Sequence, residues 1–205
     1  MTRTDQPELA TASLRGRRIG LLGGSFNPAH EGHLHISHQA LRRLKLDEIW
    51  WVVSPQNPLK PTEGMAPFAE RFTSAESVAG ADSRILVSDI ERKLGTQFTV
   101  DTVMNLTQTY PDTRFVWVMG ADNLRQAARW RDWRTFFRSV PIAVFARPTY
   151  SLRALVSKAA RRFARARIRE SRAGRLADMR APAWVYLRIP LSSASATRIR
   201  TRGSA

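Results

Sequence analysis

Residues 18–34 read RIGLLGGSFNPAHEGHL, and the reading of this stretch decides the fold. Arg18 to Leu22 is a short apolar run, Gly23-Gly24 is a turn, and a polar segment leads into a helix that begins near His30 or Glu31. Outward from there the same alternation repeats. Further short runs rich in β-branched and aromatic residues follow: EIWWVVS, RILVSDI, RFVWVMG, PIAVFAR and AWVYLRI. They are continuous rather than alternating, as strands covered on both faces are. Helix-like segments (GHLHISHQALRRLKL, APFAERFTSAESVAGA, FTVDTVMNLTQTY) lie between them. The expected fold is α/β, a doubly wound, mostly parallel sheet with helices on both faces. In such sheets ligands bind beyond the carboxyl ends of the strands, where the glycine turn lies.

The chain has 205 residues, of which 43% are hydrophobic and 24% charged, which is ordinary globular usage. No apolar run approaches a membrane span, and the chain contains no cysteine, so disulfides and thiolate chemistry are excluded. A cytoplasmic protein is expected. Residues 1–17 read as a flexible polar tail, and 18–205 as one domain. The Pro-rich loop 54–67 (SPQNPLKPTEGMAP) reads as a binding loop or lid. The net charge is +16, and only four of the 33 basic residues are lysine, so a composition bias explains part of it. Between Arg153 and Arg180 ten basic residues face only Glu170 and Asp178. Leu152, Leu155, Val156, Ala159, Phe163 and Ala166 are spaced there like the buried stripe of an amphipathic helix, so the segment 151–180 reads as an Arg-rich helical insertion. A solvated basic face is one reading of it, and a polyanion-binding surface the other.

All four histidines fall within nine positions: His30, His33, His35 and His38. At roughly 100° per residue, His30 and His33 lie about 60° apart on the apolar side, while His35 and His38 turn towards the polar side. The four rings do not converge, and a metal cluster is not expected. His30 and His33 instead occupy the first turn of a helix, where unpaired N–H groups favour an anion and imidazoles add donors to phosphoryl oxygens. The stretch is neither a P-loop nor G-x-G-x-x-G.

GGSFNPAHEGH resembles the G-G-[ST]-F-[DN]-P-x-H-x-G-H signature of the nucleotidylyltransferase superfamily, whose fold is Rossmann-like. The resemblance implies a second phosphate-binding element near the C-terminus, where residues 195–200 read SATRIR. It places Gly23, Gly24, Ser25, Phe26, Ser195, Thr197 and Arg198 around the phosphates of ATP. His30, His33 and Arg200 then serve the transfer itself, with Mg²⁺ arriving on ATP. The attacking phosphate monoester is already ionised, so positioning and charge stabilisation suffice.

GTQFTVDTVMNL (95–106), FVWVMGADNL (115–124) and RWRDW (129–133) further resemble segments of bacterial nicotinate-nucleotide adenylyltransferases. That resemblance implies ATP and nicotinate mononucleotide as substrates. Trp130 would stack on the pyridine ring, Thr99 and Arg131 lie near its carboxylate, and Lys60 and Asp122 belong to the same half-site. Asn27 stands where Asp is more frequent, NPLK where many members carry Pro-His-[RK], and the Arg-rich insertion has no counterpart motif. Nicotinamide mononucleotide and phosphopantetheine are the alternative substrates. A basic nucleic-acid-binding protein is the alternative of a different class, which gives no reason for the paired terminal motifs. The resemblance implies no membrane partner, and oligomeric state is not legible.

Overall fold

The computed structural model describes residues 14–56, 63–80, 82–147 and 151–190. Among them seven strands form one sheet in the order β3-β2-β1-β4-β5-β7-β6, and every pairing is parallel. The strands are β1 (Arg18–Gly24), β2 (Glu48–Val53), β3 (Ile85–Ser88), β4 (Arg114–Gly120), β5 (Ile142–Phe145), β6 (Arg167–Ile168) and β7 (Trp184–Leu187). Strand order reverses at β1, which pairs with β2 on one side and β4 on the other, with Leu21 opposite both Trp50 and Trp117. A crevice opens at this reversal, beyond the carboxyl ends of the two central strands.

The helices are α1 (Glu31–Leu44), α2 (Phe68–Ala79), α3 (Ile90–Lys93), α4 (Thr99–Thr109), α5 (Ala121–Gln126), α6 (Trp133–Ser139), α7 (Ser151–Leu155) and α8 (Lys158–Arg162). Alternate residues of each strand feed two separate cores, because successive side chains leave opposite faces of a sheet. Trp50 and Val52 pack with Val103 and Leu106 of α4, Leu124 of α5 and Phe136 and Phe137 of α6. Ile49, Trp51 and Val53 pack with Ile36, Leu41 and Leu44 of α1 and Ala75 and Ala79 of α2. The expected doubly wound architecture is therefore present. No helix among the described residues is long and apolar enough to cross a membrane.

The Arg-rich stretch departs from its expected single amphipathic helix. It forms α7 and α8, a 3-10 turn at Ala164–Ala166, edge strand β6 and a 3-10 run at Glu170–Asp178. Ser157 breaks the first helix by capping the next, its hydroxyl accepting the Ala160 N–H at 3.3 Å. Trp184 Nε1 then donates to the Phe163 carbonyl at 2.8 Å, and the chain crosses the sheet edge. Ala159 and Phe163 thus enter one core and Leu176 and Ala177 the other. Both acids of the stretch are engaged elsewhere: Glu170 by Arg43, and Asp178 by Arg18 and Arg114. All ten basic residues between 153 and 180 are exposed. Placed on the last described edge of the sheet, those charges also discourage edge-to-edge pairing.

Candidate active site

The site begins at the turn from β1 into α1. His30, 5% exposed, keeps an extended backbone immediately before the first helical residue. Its Nδ1 accepts the Gly32 N–H at 3.0 Å, and its own N–H donates to His33 Nδ1 at 3.1 Å. Two of the helix's orphan donors are thereby satisfied reciprocally. A neutral imidazole whose Nδ1 accepts carries its proton on Nε2, so both rings present an Nε2–H donor. Burial holds the His30 pKa down to about 4, and the charge of Arg147 pushes the same way. At neutral pH His30 is an uncharged donor.

The two rings stack with centroids 3.8 Å apart, as their spacing in the sequence requires. Phe26 lies 4.7 Å and Trp51 5.7 Å from His33. Trp51 is itself fixed: its Nε1 donates to Ser37 Oγ, and Ser37 donates to the His33 carbonyl, each at 2.8 Å. His35 and His38 point away, to the Pro190 carbonyl at 2.8 Å and to Asp82 at 3.4 Å respectively. No group of three or more potential metal ligands stands together among the described residues.

Gly23 packs tightly inside the sheet. A Cβ there would come within 2.5 Å of the Trp117 ring on β4, so packing alone forbids a side chain.

The loop after β2 is fastened to the turn by two residues. Asn27 donates from Nδ2 to the Gly64 carbonyl at 2.9 Å and accepts the Ala66 N–H at 3.2 Å. An ionised Asp could only accept, so the amide at 27 gains a bond that the more frequent carboxylate lacks. Arg71 on α2, 2% exposed, donates to the carbonyls of Ser25 (2.6 Å), Ser54 (2.9 Å), Pro55 (2.8 Å) and Ala66 (2.9 Å). Burial pushes its guanidinium below the usual range.

Across the crevice, Asp122 lies in the first turn of α5, just past β4. Its Oδ1 is buried without a hydrogen-bond partner among the described residues and stands 3.4 Å from Arg147 Nε, an ion pair lacking hydrogen-bond geometry. Gly120 makes this approach possible, since a Cβ there would sit 2.4 Å from Asp122 Oδ1 and 2.7 Å from Arg147 Nε. Arg147 follows β5, so its cation reaches both His30 and Asp122 from the carboxyl edge.

The second half of the site is built on α4. Its first turn, starting at Thr99, has no side-chain cap. Arg131 lies 4.5 Å over the Phe98 ring and 3.7 Å from both Asp101 and Asp132, which ties the 129–133 segment to that turn. Trp130 is half-buried, tilted against Phe136 at 5.5 Å. Arg131 thus ties the segment that carries Trp130 to the turn that begins at Thr99.

A profile of the cytidylyltransferase-like family matches residues 21–202. A probable nicotinate-nucleotide adenylyltransferase of Parvibaculum lavamentivorans is 54% identical over 92% of this chain and 93% of its own length. One from Caulobacter sp. strain K31 is 53% identical over 90% and 97%. The chain belongs to this adenylyltransferase family.

Solved structures share the adenylyltransferase fold at much lower identity. The Plasmodium falciparum nicotinic acid mononucleotide adenylyltransferase complexed with NaAD aligns with a TM-score of 0.69 at 16% identity, covering 90% of this chain and 83% of that one. The same enzyme complexed with APC gives 0.67 at 16% identity over the same shares. Of the site residues expected from sequence, Lys60, Ser195, Thr197, Arg198 and Arg200 lie outside the described residues. Arg71, Arg147, Ser54 and Glu91 were not anticipated. For Arg147 a signal existed: it is the first cation after the apolar run PIAVFA, at the carboxyl end where ligands bind.

Proposed function

We propose that this adenylyltransferase joins nicotinate mononucleotide to the adenylyl group of ATP. A phosphate oxygen of the mononucleotide attacks the α-phosphorus, the bond to the bridging oxygen of the β-phosphate breaks, and pyrophosphate leaves with that oxygen. The product is nicotinate adenine dinucleotide, made late in NAD biosynthesis. One observation carries the reading: two stacked imidazoles, each with its proton fixed on Nε2, stand at a helix start beside Arg147. Neutral donors and a cation set at a phosphate site stabilise charge that grows on the α-phosphate without accepting a proton themselves. The close bacterial relatives bear the name of this activity.

His30 and His33 are assigned to the α-phosphate, with Gly24, Ser25 and Phe26 forming the turn around it. Thr99, Trp130 and Arg131 are assigned to the pyridine nucleotide, and Asp122 to a ribose hydroxyl or a metal-linked water. Arg200, with Arg198, Ser195 and Thr197, is assigned to the departing pyrophosphate, and Lys60 to the pyridine half, on the resemblance in sequence. Residues 14–205 act as one catalytic domain, in the cytoplasm where ATP is available; Leu14, expected in the polar tail, is 2% exposed in the core, and its carbonyl accepts the Thr113 hydroxyl at 3.0 Å.

Family membership implies a divalent metal. The described residues offer no cage, but Asp122 Oδ1 is a buried acceptor without a hydrogen bond, which fits an ion carried by the triphosphate and touched by the protein through one carboxylate. Mg²⁺ is the ion proposed, supplying charge neutralisation to the phosphates when bound.

The test is pyrophosphate release from ATP with nicotinate mononucleotide, nicotinamide mononucleotide and phosphopantetheine offered separately. The nicotinate substrate should give the highest kcat/KM, and strongest turnover on either of the others overturns the assignment. Nanomolar nucleic-acid affinity at physiological salt, with no pyrophosphate from any mononucleotide, would favour the other class of function. Trp130→Ala should raise KM for the mononucleotide by about tenfold, the worth of one aromatic stack, with ATP little affected. An effect confined to ATP would remove Trp130 from the pyridine site.

A further inference from the structure

We infer that Glu91 is a positioning residue that joins the two halves of the site, holding the first turn of α4 in place relative to the phosphate-binding turn. The inference rests on the adenylyl-transfer reading. It is carried by a path of hydrogen bonds completed by one side-chain contact. Ser54, just past β2, donates its N–H to the Gly24 carbonyl at 2.9 Å, and its own carbonyl accepts Arg71 at 2.9 Å. The same Arg71 nitrogen donates to the Ser25 carbonyl at 2.6 Å. The Ser54 side chain lies beside the Glu91 carboxyl and favours its charged form. Beyond Glu91, the Thr102 hydroxyl donates to Oε1 at 3.4 Å and stands 2.8 Å from the hydroxyl of Thr96. Thr102 belongs to α4 and also lies 3.3 Å from the carbonyl of Phe98, the residue before Thr99. The Thr96 N–H closes the path by donating to the Glu91 carbonyl at 2.9 Å.

Glu91 is 5% exposed, and its Oε2 has no partner among the described residues. Among the described residues no cation offsets it. Arg71 is surrounded by carbonyls, Lys93 pairs with Asp89 at 3.1 Å, Arg92 lies over Phe68, and Asp101 faces Arg131. Burial pushes the carboxyl up to about 7, with the Ser54 and Thr102 hydroxyls opposing the rise. An apolar residue would fill this place at lower cost in burial. What the carboxyl adds is direction: a shared acceptor between hydroxyls on β2's end and on α4 fixes their separation. The two substrates must meet within a few tenths of an ångström for in-line attack, so this separation matters to the reaction.

Glu91→Leu, Glu91→Gln and Thr102→Val test the assignment, each with its melting temperature recorded beside steady-state kinetics for both substrates. Glu91→Leu should lower kcat and raise KM for nicotinate mononucleotide, each by about tenfold or more, while KM for ATP moves less than about threefold. Glu91→Gln keeps an acceptor at Oε1 and should return KM to within about threefold of wild type. Thr102→Val, which removes the hydroxyl and keeps the shape, should reproduce the Leu effect and carries the test if Glu91→Leu fails to fold. Unchanged KM in a folded Leu or Val variant overturns the proposal. So does a Gln variant as impaired as Leu, or equal losses for both substrates, which a merely structural role would produce. A wild-type enzyme that makes no dinucleotide sinks the functional reading instead, and that is seen before any variant is compared.

Discussion

His33→Ala should lower kcat by about 10²–10³-fold while changing the affinity for ATP by less than about threefold. The asymmetry follows from where the ring stands. Its Nδ1 takes the His30 N–H, which fixes the proton on Nε2. Packing against Phe26, His30 and Trp51 fixes the ring plane. A donor fixed in this way costs no reorganisation as negative charge grows on the α-phosphate, and it matters most in the transition state. On the proposed assignment, ground-state ATP would keep its contacts with the turn and with the cations around it. Alanine also removes the acceptor for the His30 N–H, so His30 should become less well oriented, and the double variant should lose less than the product of the singles. Steady-state kinetics with ATP and the mononucleotide, together with ATP binding measured directly, checks the prediction. An unchanged kcat removes His33 from the mechanism. The depressed pKa of His30 adds a pH expectation. Its folded pKa of about 4 lies below the ordinary 6.5, so its stabilising contribution is present above 6.5 and is lost as pH falls towards 4. Activity should therefore show no loss between pH 8 and 6 that His30→Asn abolishes.

The doubly wound parallel sheet and the histidine pair were legible because both rest on local patterns. Continuous apolar runs reported strands buried on two faces, and a separation of three residues reported two rings on one side of a helix. Arg71 was not legible. In sequence it is one cation of an exposed-looking helix, and its nearest acceptor on the turn lies 46 residues away. Glu91 was hidden for the same reason, since its partners come from β2 and α4 and no periodicity announces a buried carboxyl. The Arg-rich stretch misled in the opposite direction. Its apolar spacing fits one helix, but Ser157 caps a second one, and past that helix the Trp184 indole, from outside the segment, takes the Phe163 carbonyl. A cap and a long-range hydrogen bond overrode the apolar spacing there.

Arg71→Met should destabilise the fold by about 3–5 kcal/mol, the range seen when one partner of a buried charged network is removed. For a chain of this size that corresponds to a fall in melting temperature of about 6–20 °C. The guanidinium is buried with four carbonyl acceptors drawn from two loops: Ser25 in the turn after β1, and Ser54, Pro55 and Ala66 in the loop after β2. Methionine fills much of the volume and relieves the burial of a charge, but it leaves those carbonyls without their donor, and backbone acceptors stranded from water account for the loss. Because the loops converge on the phosphate-binding turn, kcat should fall along with stability. Arg71→Lys separates charge from geometry. A lysine keeps the positive charge but cannot span four acceptors with a planar fork, so it should recover only part of the stability. Asn27→Ala cuts the same seam more gently, removing the bonds to Gly64 and Ala66 while Arg71 stays in place. It should cost about 1–3 kcal/mol and a smaller share of kcat. Thermal melts and steady-state kinetics on the three variants decide the matter. If Arg71→Met melts with the wild type and turns over normally, the clamp has no hold on the site.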